Sequence, residues 1–146
     1  MLKNLSPLLS PEMLKVLSEM GLGDEIVIAD GNFPASATAR RLVRADGAQV
    51  NAALDAVLSV FPLDANAEMP VALMGSGMLR EEPPVWERLR YIVERHEGER
   101  KFQVLEREAF LERAKRAYAV IATGDKENYS SVILRKGLVT VESVRL

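Results

Sequence analysis

An aspartate that directly follows a short buried strand is the residue of this sequence best placed to do chemistry. Glu25 to Ala29 is a mostly apolar run typical of a strand covered on both faces, and Asp30 comes next. Ligands gather outside the carboxyl ends of strands in open α/β sheets, where a carboxylate can accept hydroxyl hydrogen bonds or act as a base. An aspartate after a strand also often caps a turn, so the sequence leaves both interpretations of Asp30 open.

Two further polar side chains fall near predicted strand ends. Arg107 follows an apolar run, and its guanidinium would offer a planar fork of donors to hydroxyl or ring oxygens. Tyr129 precedes another apolar run and would supply a ring face and a hydroxyl that donates or accepts. Each has a structural alternative: an arginine after a strand commonly forms a surface ion pair, and Tyr129 could be a core residue whose hydroxyl reaches the surface.

The amino-acid composition and the lack of certain motifs exclude or disfavour several other kinds of site. The chain has no cysteine and one histidine, which excludes disulfides and thiolate nucleophiles and disfavours a metal site. Gly75-Ser76-Gly77 lacks the third glycine of a dinucleotide fingerprint, and no Gly-Lys-Ser or Gly-Lys-Thr sequence marks a phosphate loop. The single histidine, His96, lies in a charged helix end, where we expect it to be solvated rather than the base of a hydrolase.

Length and charge restrict the class of protein. A chain of 146 residues predicts one domain, residues 1–146, with a single core. With 19 basic and 21 acidic side chains, the sequence predicts no basic field to bind a nucleic-acid backbone. No apolar run approaches membrane-spanning length, and the lack of cysteine is consistent with a reducing compartment, so we expect a soluble cytoplasmic protein that binds neither nucleic acid nor membrane.

The elements that must position these residues alternate between strands and helices. Ser10, Pro11 and Glu12 have the types expected at a helix start, and Gly21 marks the end of that helix. Further strands are predicted around Leu42–Arg44, Val71–Met74, Phe102–Leu105, Val120–Thr123 and Val132–Leu134, and further helices along Val50–Phe61, Val85–His96 and Phe110–Ala117. The fold class is therefore α/β, a single domain with a mostly parallel sheet flanked by helices.

The segment around Asp30 resembles the signature of the ribose pyranase and fucose mutarotase family. That signature reads Gly-His-Gly-Asp-Glu-Ile, then Asp, a small residue, His or Asn, Phe and Pro. Collinear similarity continues through most of the chain, over Leu5–Pro7, Arg44–Gly47, Ala119–Gly124 and Tyr129. The resemblance implies the fold of that family, and Asp30 to Pro34 is closer to its fucose branch.

The resemblance also implies an activity without a cofactor. Members interconvert cyclic forms of a free monosaccharide by opening and reclosing the hemiacetal, which is proton-transfer chemistry. By carry-over, Asp30, Arg107 and Tyr129 would bind the sugar. We add Asn32 and Ser131 as predicted sugar-binding residues, and Asp30 and Tyr129 as the groups that would share the proton transfers. Relatives form rings of eight or ten chains, so the resemblance further implies a homo-oligomer with L-fucose or a related sugar as substrate.

Two positions depart from the family pattern. Leu22 stands where the family has the histidine favoured as its acid-base group, and Ser131 stands where members often have asparagine. A leucine cannot move a proton, and serine makes fewer hydrogen bonds than asparagine. The sequence therefore leaves two alternatives to a working mutarotase: a catalytically weak or inactive sugar-binding or sensing protein, and a structural or interaction subunit that keeps the fold alone.

Overall fold

A computed structural model describes residues 1–143 of the chain; the predicted domain also includes residues 144–146, which lie outside the described residues. The strands are β1 (Glu25–Ala29), β2 (Leu42–Ala45), β3 (Val71–Gly75), β4 (Phe102–Glu106), β5 (Ala119–Thr123) and β6 (Val132–Arg135). The α-helices are α1 (Pro11–Glu19), α2 (Ala35–Thr38), α3 (Val50–Leu58), α4 (Pro84–Glu97) and α5 (Arg107–Arg116), and a 3₁₀ turn covers Val141–Ser143. Of these described helices, none combines the length and apolar character needed to cross a membrane.

The six strands of residues 1–143 form one sheet in the order β2-β5-β1-β6-β3-β4. β1 and β2 both pair in parallel with β5, and β3 pairs in parallel with β4. β6 lies between β1 and β3 and is antiparallel to both. Five strands therefore share one direction, which confirms the predicted α/β fold with a mostly parallel sheet. Because β6 is reversed, its first residues lie at the edge where β1 and β3 end.

Helices cover both faces of this sheet. Ile26 and Ile28 of β1 belong to one apolar cluster with α1, α3 and α4, whereas Val27 and Ala29 belong to a second cluster with α2 and α5. All four side chains are fully buried. Burial of an aliphatic side chain of this size contributes about 1.5–3 kcal/mol for valine and isoleucine. This two-sided burial explains why β1 has a nearly continuous apolar sequence rather than an alternating one.

The first helix begins as its sequence predicts. The Ser10 hydroxyl accepts a hydrogen bond from the Met13 backbone N–H at 3.1 Å, and Pro11 occupies the first helical position. After the helix, the Gly21 N–H donates to the Asp24 carboxylate at 2.8 Å, which shapes the loop that enters β1. The N-cap and this turn together fix where β1 starts, and thus where Asp30 emerges at its other end.

Three helices differ from the sequence prediction, and one of them is α5, which begins at Arg107 rather than at Phe110. α3 ends at Leu58, because the N–H groups of Ser59 and Val60 form tighter turns back to the last helical carbonyls before Pro62. Phe61 is nevertheless buried, as its place in the apolar stripe predicted. α2 is a single turn after Pro34 that the sequence analysis did not predict, since four residues are too few to show helical periodicity.

Candidate functional site

A cavity of about 460 Å³ lies at the carboxyl edge of the sheet, where β1, β3 and β4 end and β6 begins. Its volume is within the usual range for small-molecule sites. The lining residues are Asp30, Asn32, Phe33, Met74, Gly75, Ser76, Glu106, Arg107, Asn128 and Tyr129. Four of the five residues that the sequence predicted as a site, Asp30, Asn32, Arg107 and Tyr129, therefore line one cavity.

Asp30 both caps a turn and faces this cavity. Its Oδ1 accepts the Asn32 backbone N–H at 2.8 Å, and its Oδ2 accepts the Ser131 hydroxyl at 2.9 Å. Each carboxylate oxygen can accept a further hydrogen bond, so a ligand hydroxyl can still bind. The two interpretations left open by the sequence are thus compatible, since the turn cap holds the carboxylate in one orientation.

Ser131 is the predicted site residue that the structure places behind the cavity. Its side chain is fully buried, and its Oγ also accepts the Asp30 backbone N–H at 2.9 Å. Together with the bond from its hydroxyl to the Asp30 carboxylate, this makes a two-point link across β1 and the start of β6. Within one chain, Ser131 thus acts on the cavity by holding Asp30.

Arg107 is the first residue of α5 and is exposed at the cavity wall. In the part of the chain that the structure describes, the observed salt bridges involve other side chains and leave Arg107 without an ion-pair partner. The surface ion pair considered as its structural alternative is therefore not formed among residues 1–143. Its guanidinium donors are available to ligand oxygens.

Tyr129 adopts a backbone conformation that few side chains other than glycine tolerate. Its φ is +62°, in the left-handed region, and such strain typically costs about 1–3 kcal/mol. The Trp86 indole N–H donates to the Tyr129 carbonyl oxygen at 2.9 Å. The tyrosine is half-buried against the core and lines the cavity, so it combines the structural and functional interpretations.

Sequence reasoning missed a second carboxylate in the cavity and the tryptophan beneath it. Glu106 ends β4, directly before Arg107, and its Oε1 accepts the Gly77 backbone N–H at 2.6 Å. Its place beside Arg107 at a strand end was the signal that could have identified it. Trp86 carried no such signal, because its bond to Tyr129 joins segments 43 residues apart.

A smaller cavity of about 280 Å³ lies on the other side of the Asp30–Phe33 segment. Arg44 and Asp46 line it as an exposed pair, with the Arg44 Nη2 at 2.6 Å from the Asp46 Oδ1. The hydrogen bonds from Arg44 lower the pKa of the Asp46 carboxyl below its ordinary value. Because these charges satisfy each other, the larger cavity is the better candidate for the site.

The two residues relevant to histidine chemistry lie at the opposite edge of the sheet. Leu22 is 58% exposed in the loop before β1, and the five residues of β1, about 16 Å in length, separate that edge from Asp30.

His96 is near the carboxyl end of α4, and its Nε2 lies 2.7 Å from the Asp55 Oδ1. Its side chain is 22% exposed, so His96 is partly solvated as well as paired with Asp55, and it does not line the candidate cavity. The hydrogen bond from His96 is the main cause of the lowered pKa of Asp55.

Comparison with known proteins identifies close relatives of this chain. Residues 3–139 match the model of the RbsD / FucU transport protein family. The chain is 44% identical to a fucose mutarotase from Homo sapiens over 96% of each chain. It is 40% identical to an L-fucose mutarotase from Actinobacillus pleuropneumoniae, over 97% of this chain and all of that protein. A crystal structure of the fucose mutarotase from Streptococcus pneumoniae in complex with L-fucose superimposes with a TM-score of 0.91 at 39% identity, covering 95% of this chain and all of that one.

Proposed function

The chain belongs to the RbsD / FucU transport protein family, and we propose that it is an isomerase that interconverts the anomers of free L-fucose or a closely related monosaccharide. The observation that carries this proposal is the cavity where Asp30, Arg107 and Tyr129 meet at one edge of the sheet. Relatives of nearly full length are named fucose mutarotases, and a similar structure contains L-fucose. In this proposal a single domain, residues 1–146, carries out the reaction without a cofactor.

The reaction needs a base at the anomeric hydroxyl and an acid at the ring oxygen of the hemiacetal. Removal of the anomeric hydroxyl proton and protonation of the ring oxygen break the bond between that oxygen and the anomeric carbon. Rotation of the resulting aldehyde and reclosure give either anomer. Asp30, fixed by the turn and by Ser131, accepts the hydroxyl proton, and the Tyr129 hydroxyl is a donor for the ring oxygen.

Arg107 and Asn32 position the sugar rather than move its protons. An arginine remains protonated in proteins, so Arg107 donates hydrogen bonds to hydroxyl oxygens without acting as a base. Asn32 is exposed beside Asp30 and offers both an amide donor and a carbonyl acceptor. Cavity walls of mixed polarity, including Phe33 and Met74, are consistent with a sugar that has both hydroxyl groups and an apolar face.

We also propose that the protein works as a homo-oligomer, a ring of eight or ten chains, in the cytoplasm. Leu22 is 58% exposed at the edge opposite Asp30, where it is accessible to another copy of the chain. In such a ring, the residue at the family's histidine position can approach only the cavity of a neighbouring chain. Leu22 would then add an apolar wall to that cavity.

A second candidate function is sugar binding without useful turnover. Leu22 favours it, since loss of a positioned acid-base group commonly removes about 10²- to 10⁴-fold of rate. The cavity and its hydrogen-bonding residues do not depend on Leu22 within one chain, so binding survives that change more readily than catalysis. The two functions differ in exchange rate rather than in affinity.

Saturation-transfer NMR on L-fucose, with D-ribose for comparison, separates the candidates. The exchange of magnetisation between anomers is measured with and without protein at fixed pH, and buffer catalysis is subtracted. We expect protein-dependent exchange that Asp30→Asn reduces by about 10²-fold or more, while Asp46→Asn in the smaller cavity leaves it unchanged. Line broadening without exchange identifies the sugar-binding alternative. If neither sugar shows exchange or broadening, the proposed function is wrong, and a structural subunit becomes the better interpretation.

A further inference from the structure

The candidate cavity has carboxylates at both of its ends. Asp30 follows β1 and Glu106 ends β4, and β6 and β3 lie between these strands. Three strand spacings of about 4.8 Å place the two backbones about 14 Å apart. Both side chains line the same cavity of about 460 Å³. A sugar in this cavity can therefore touch both carboxylates.

The Glu106 side chain is held in position by the loop after β3. Its Oε1 accepts the Gly77 backbone N–H at 2.6 Å, and this leaves the Oε2 for a ligand. A Cβ on residue 77 would lie 3.1 Å from the same Oε1, so glycine allows the loop to approach this closely. Glu106 is exposed toward the cavity and is adjacent in sequence to Arg107. The carboxylate is thus oriented by the backbone.

Few side chains of this cavity can transfer a proton. Leu22 has no proton to give, and the only histidine of the chain is bound to Asp55 at the far edge. Arg107 stays protonated, which leaves Asp30, Tyr129 and Glu106 among the lining residues. We propose that Glu106 is a catalytic acid-base residue that works opposite Asp30. This inference rests on the proposed mutarotase function and gives protonation of the ring oxygen to Glu106 in place of Tyr129, whose hydroxyl then serves as a hydrogen-bond donor to the sugar.

The proposed step is balanced without a co-reactant. The Asp30 carboxylate removes the anomeric hydroxyl proton as the carbonyl forms, the bond to the ring oxygen breaks, and the ring oxygen takes the proton of the Glu106 carboxyl. The open-chain aldehyde then rotates about the bond next to its carbonyl. On reclosure the hydroxyl returns its proton to Glu106, and the carbonyl oxygen takes the proton from Asp30. Each proton thus returns through the group that carried it, and no co-reactant is consumed.

The test compares Glu106→Gln with Glu108→Gln. Glu108 is exposed in the first turn of α5, two residues beyond Glu106, and does not line the cavity. We expect Glu106→Gln to lower anomer exchange of L-fucose about 10²-fold while its affinity for L-fucose stays within about threefold, and Glu108→Gln to leave both unchanged. Glu106→Asp keeps the acid group and is expected to retain more exchange than Glu106→Gln. The exchange rate of Glu106→Asp should also keep the pH dependence caused by this carboxyl group, which Glu106→Gln lacks.

Three outcomes would overturn the inference. Exchange by Glu106→Gln within twofold of the unsubstituted protein would exclude an acid-base role. Equal loss of exchange and affinity would make Glu106 a binding residue, and a collapse of thermal stability in both Glu106 variants would make it a structural one. Failure of the proposed function is distinct, because then the unsubstituted protein itself shows no exchange above buffer.

Discussion

Asp30 is oriented by groups that do not themselves need to touch a ligand. The Asn32 N–H and the Ser131 hydroxyl each bind one carboxylate oxygen, and the Asp30 N–H returns a bond to Ser131. Preorganisation of this kind lowers the cost of ordering a side chain when the ligand arrives. At this position serine has the right length to link the start of β6 to Asp30.

Ser131→Ala should weaken sugar binding as well as the fold. The substitution leaves the Asp30 N–H without its acceptor and the carboxylate without one donor, so we expect a loss of about 1–3 kcal/mol in the free energy of unfolding and a higher KM. Ser130→Ala is the matched control, because Ser130 is equally buried but donates to the Glu127 carbonyl instead. Thermal melts and exchange kinetics on both variants measure the two effects. Equal KM values would show that Ser131 does not position Asp30.

At the scale of elements, the direction of β6 decides where the site forms. Since β6 is antiparallel to β1 and β3, the residues before it reach the edge where Asp30 and Glu106 emerge. The sequence predicted β1 with its observed bounds, because two-sided burial and the capped helix before it are local signals. It did not predict the reversal of β6, since the short apolar run Val132–Leu134 has no directional signal. Trp86 was missed for the related reason that its contact joins distant segments, whereas Glu106 had a local signal in its place beside Arg107 at the end of β4.

Trp86→Phe tests the link between α4 and the segment before β6. Phenylalanine keeps most of the buried ring but removes the N–H that donates to the Tyr129 carbonyl. Tyr129, in its left-handed conformation, then loses this hydrogen bond. We expect affinity for L-fucose to fall about three- to tenfold, consistent with the loss of roughly one hydrogen bond, with a modest loss of thermal stability. The control is Tyr91→Phe on the exposed face of the same helix. Isothermal titration on both variants measures the difference, and unchanged affinity would assign Trp86 to packing alone.

A buried carboxylate at the opposite edge predicts how stability depends on pH. The Asn66 backbone N–H, followed by the Arg135 guanidinium, lowers the pKa of Asp64 below its ordinary value. A lowered folded-state pKa means that the stabilisation is fully present above the unfolded value of about 3.9 and is lost as the pH falls through the folded value. Asp64→Asn should therefore lower the melting temperature at pH 7, by an amount that shrinks below about pH 4. Glu68→Gln, an exposed control, should show a small difference at every pH, and a pH-independent loss in Asp64→Asn would contradict the assignment.

At the scale of the whole molecule, the two edges of the sheet carry different sets of residues. Asp30, Glu106 and Tyr129 lie at the carboxyl edge, and Leu22 lies at the other. The proposed ring is what would bring one chain's Leu22 to another chain's cavity. The sequence could identify Leu22 as a departure from the family but not its distance from Asp30, since that distance follows from the length and direction of β1.

Leu22→His in the Glu106→Gln background should restore exchange in the assembled protein. A histidine at this edge would supply an acid-base group to a neighbouring cavity, and we expect a rise of about tenfold or more over Glu106→Gln alone. Leu42→His, at another partly exposed leucine, serves as the control. Exchange NMR with light scattering relates the rate to the size of the assembly. No recovery in an intact oligomer would indicate that Leu22 does not reach a neighbouring cavity.

The indole beneath Tyr129 has a practical consequence. Trp86 is the only tryptophan in the chain, so the intrinsic fluorescence of the unmodified protein comes mainly from one fluorophore hydrogen-bonded to a residue of the cavity wall. Occupancy of the cavity should change its emission. A panel of hexoses and pentoses can thus be ranked by simple optical titration, without labels or coupled enzymes, before any assay of turnover is attempted.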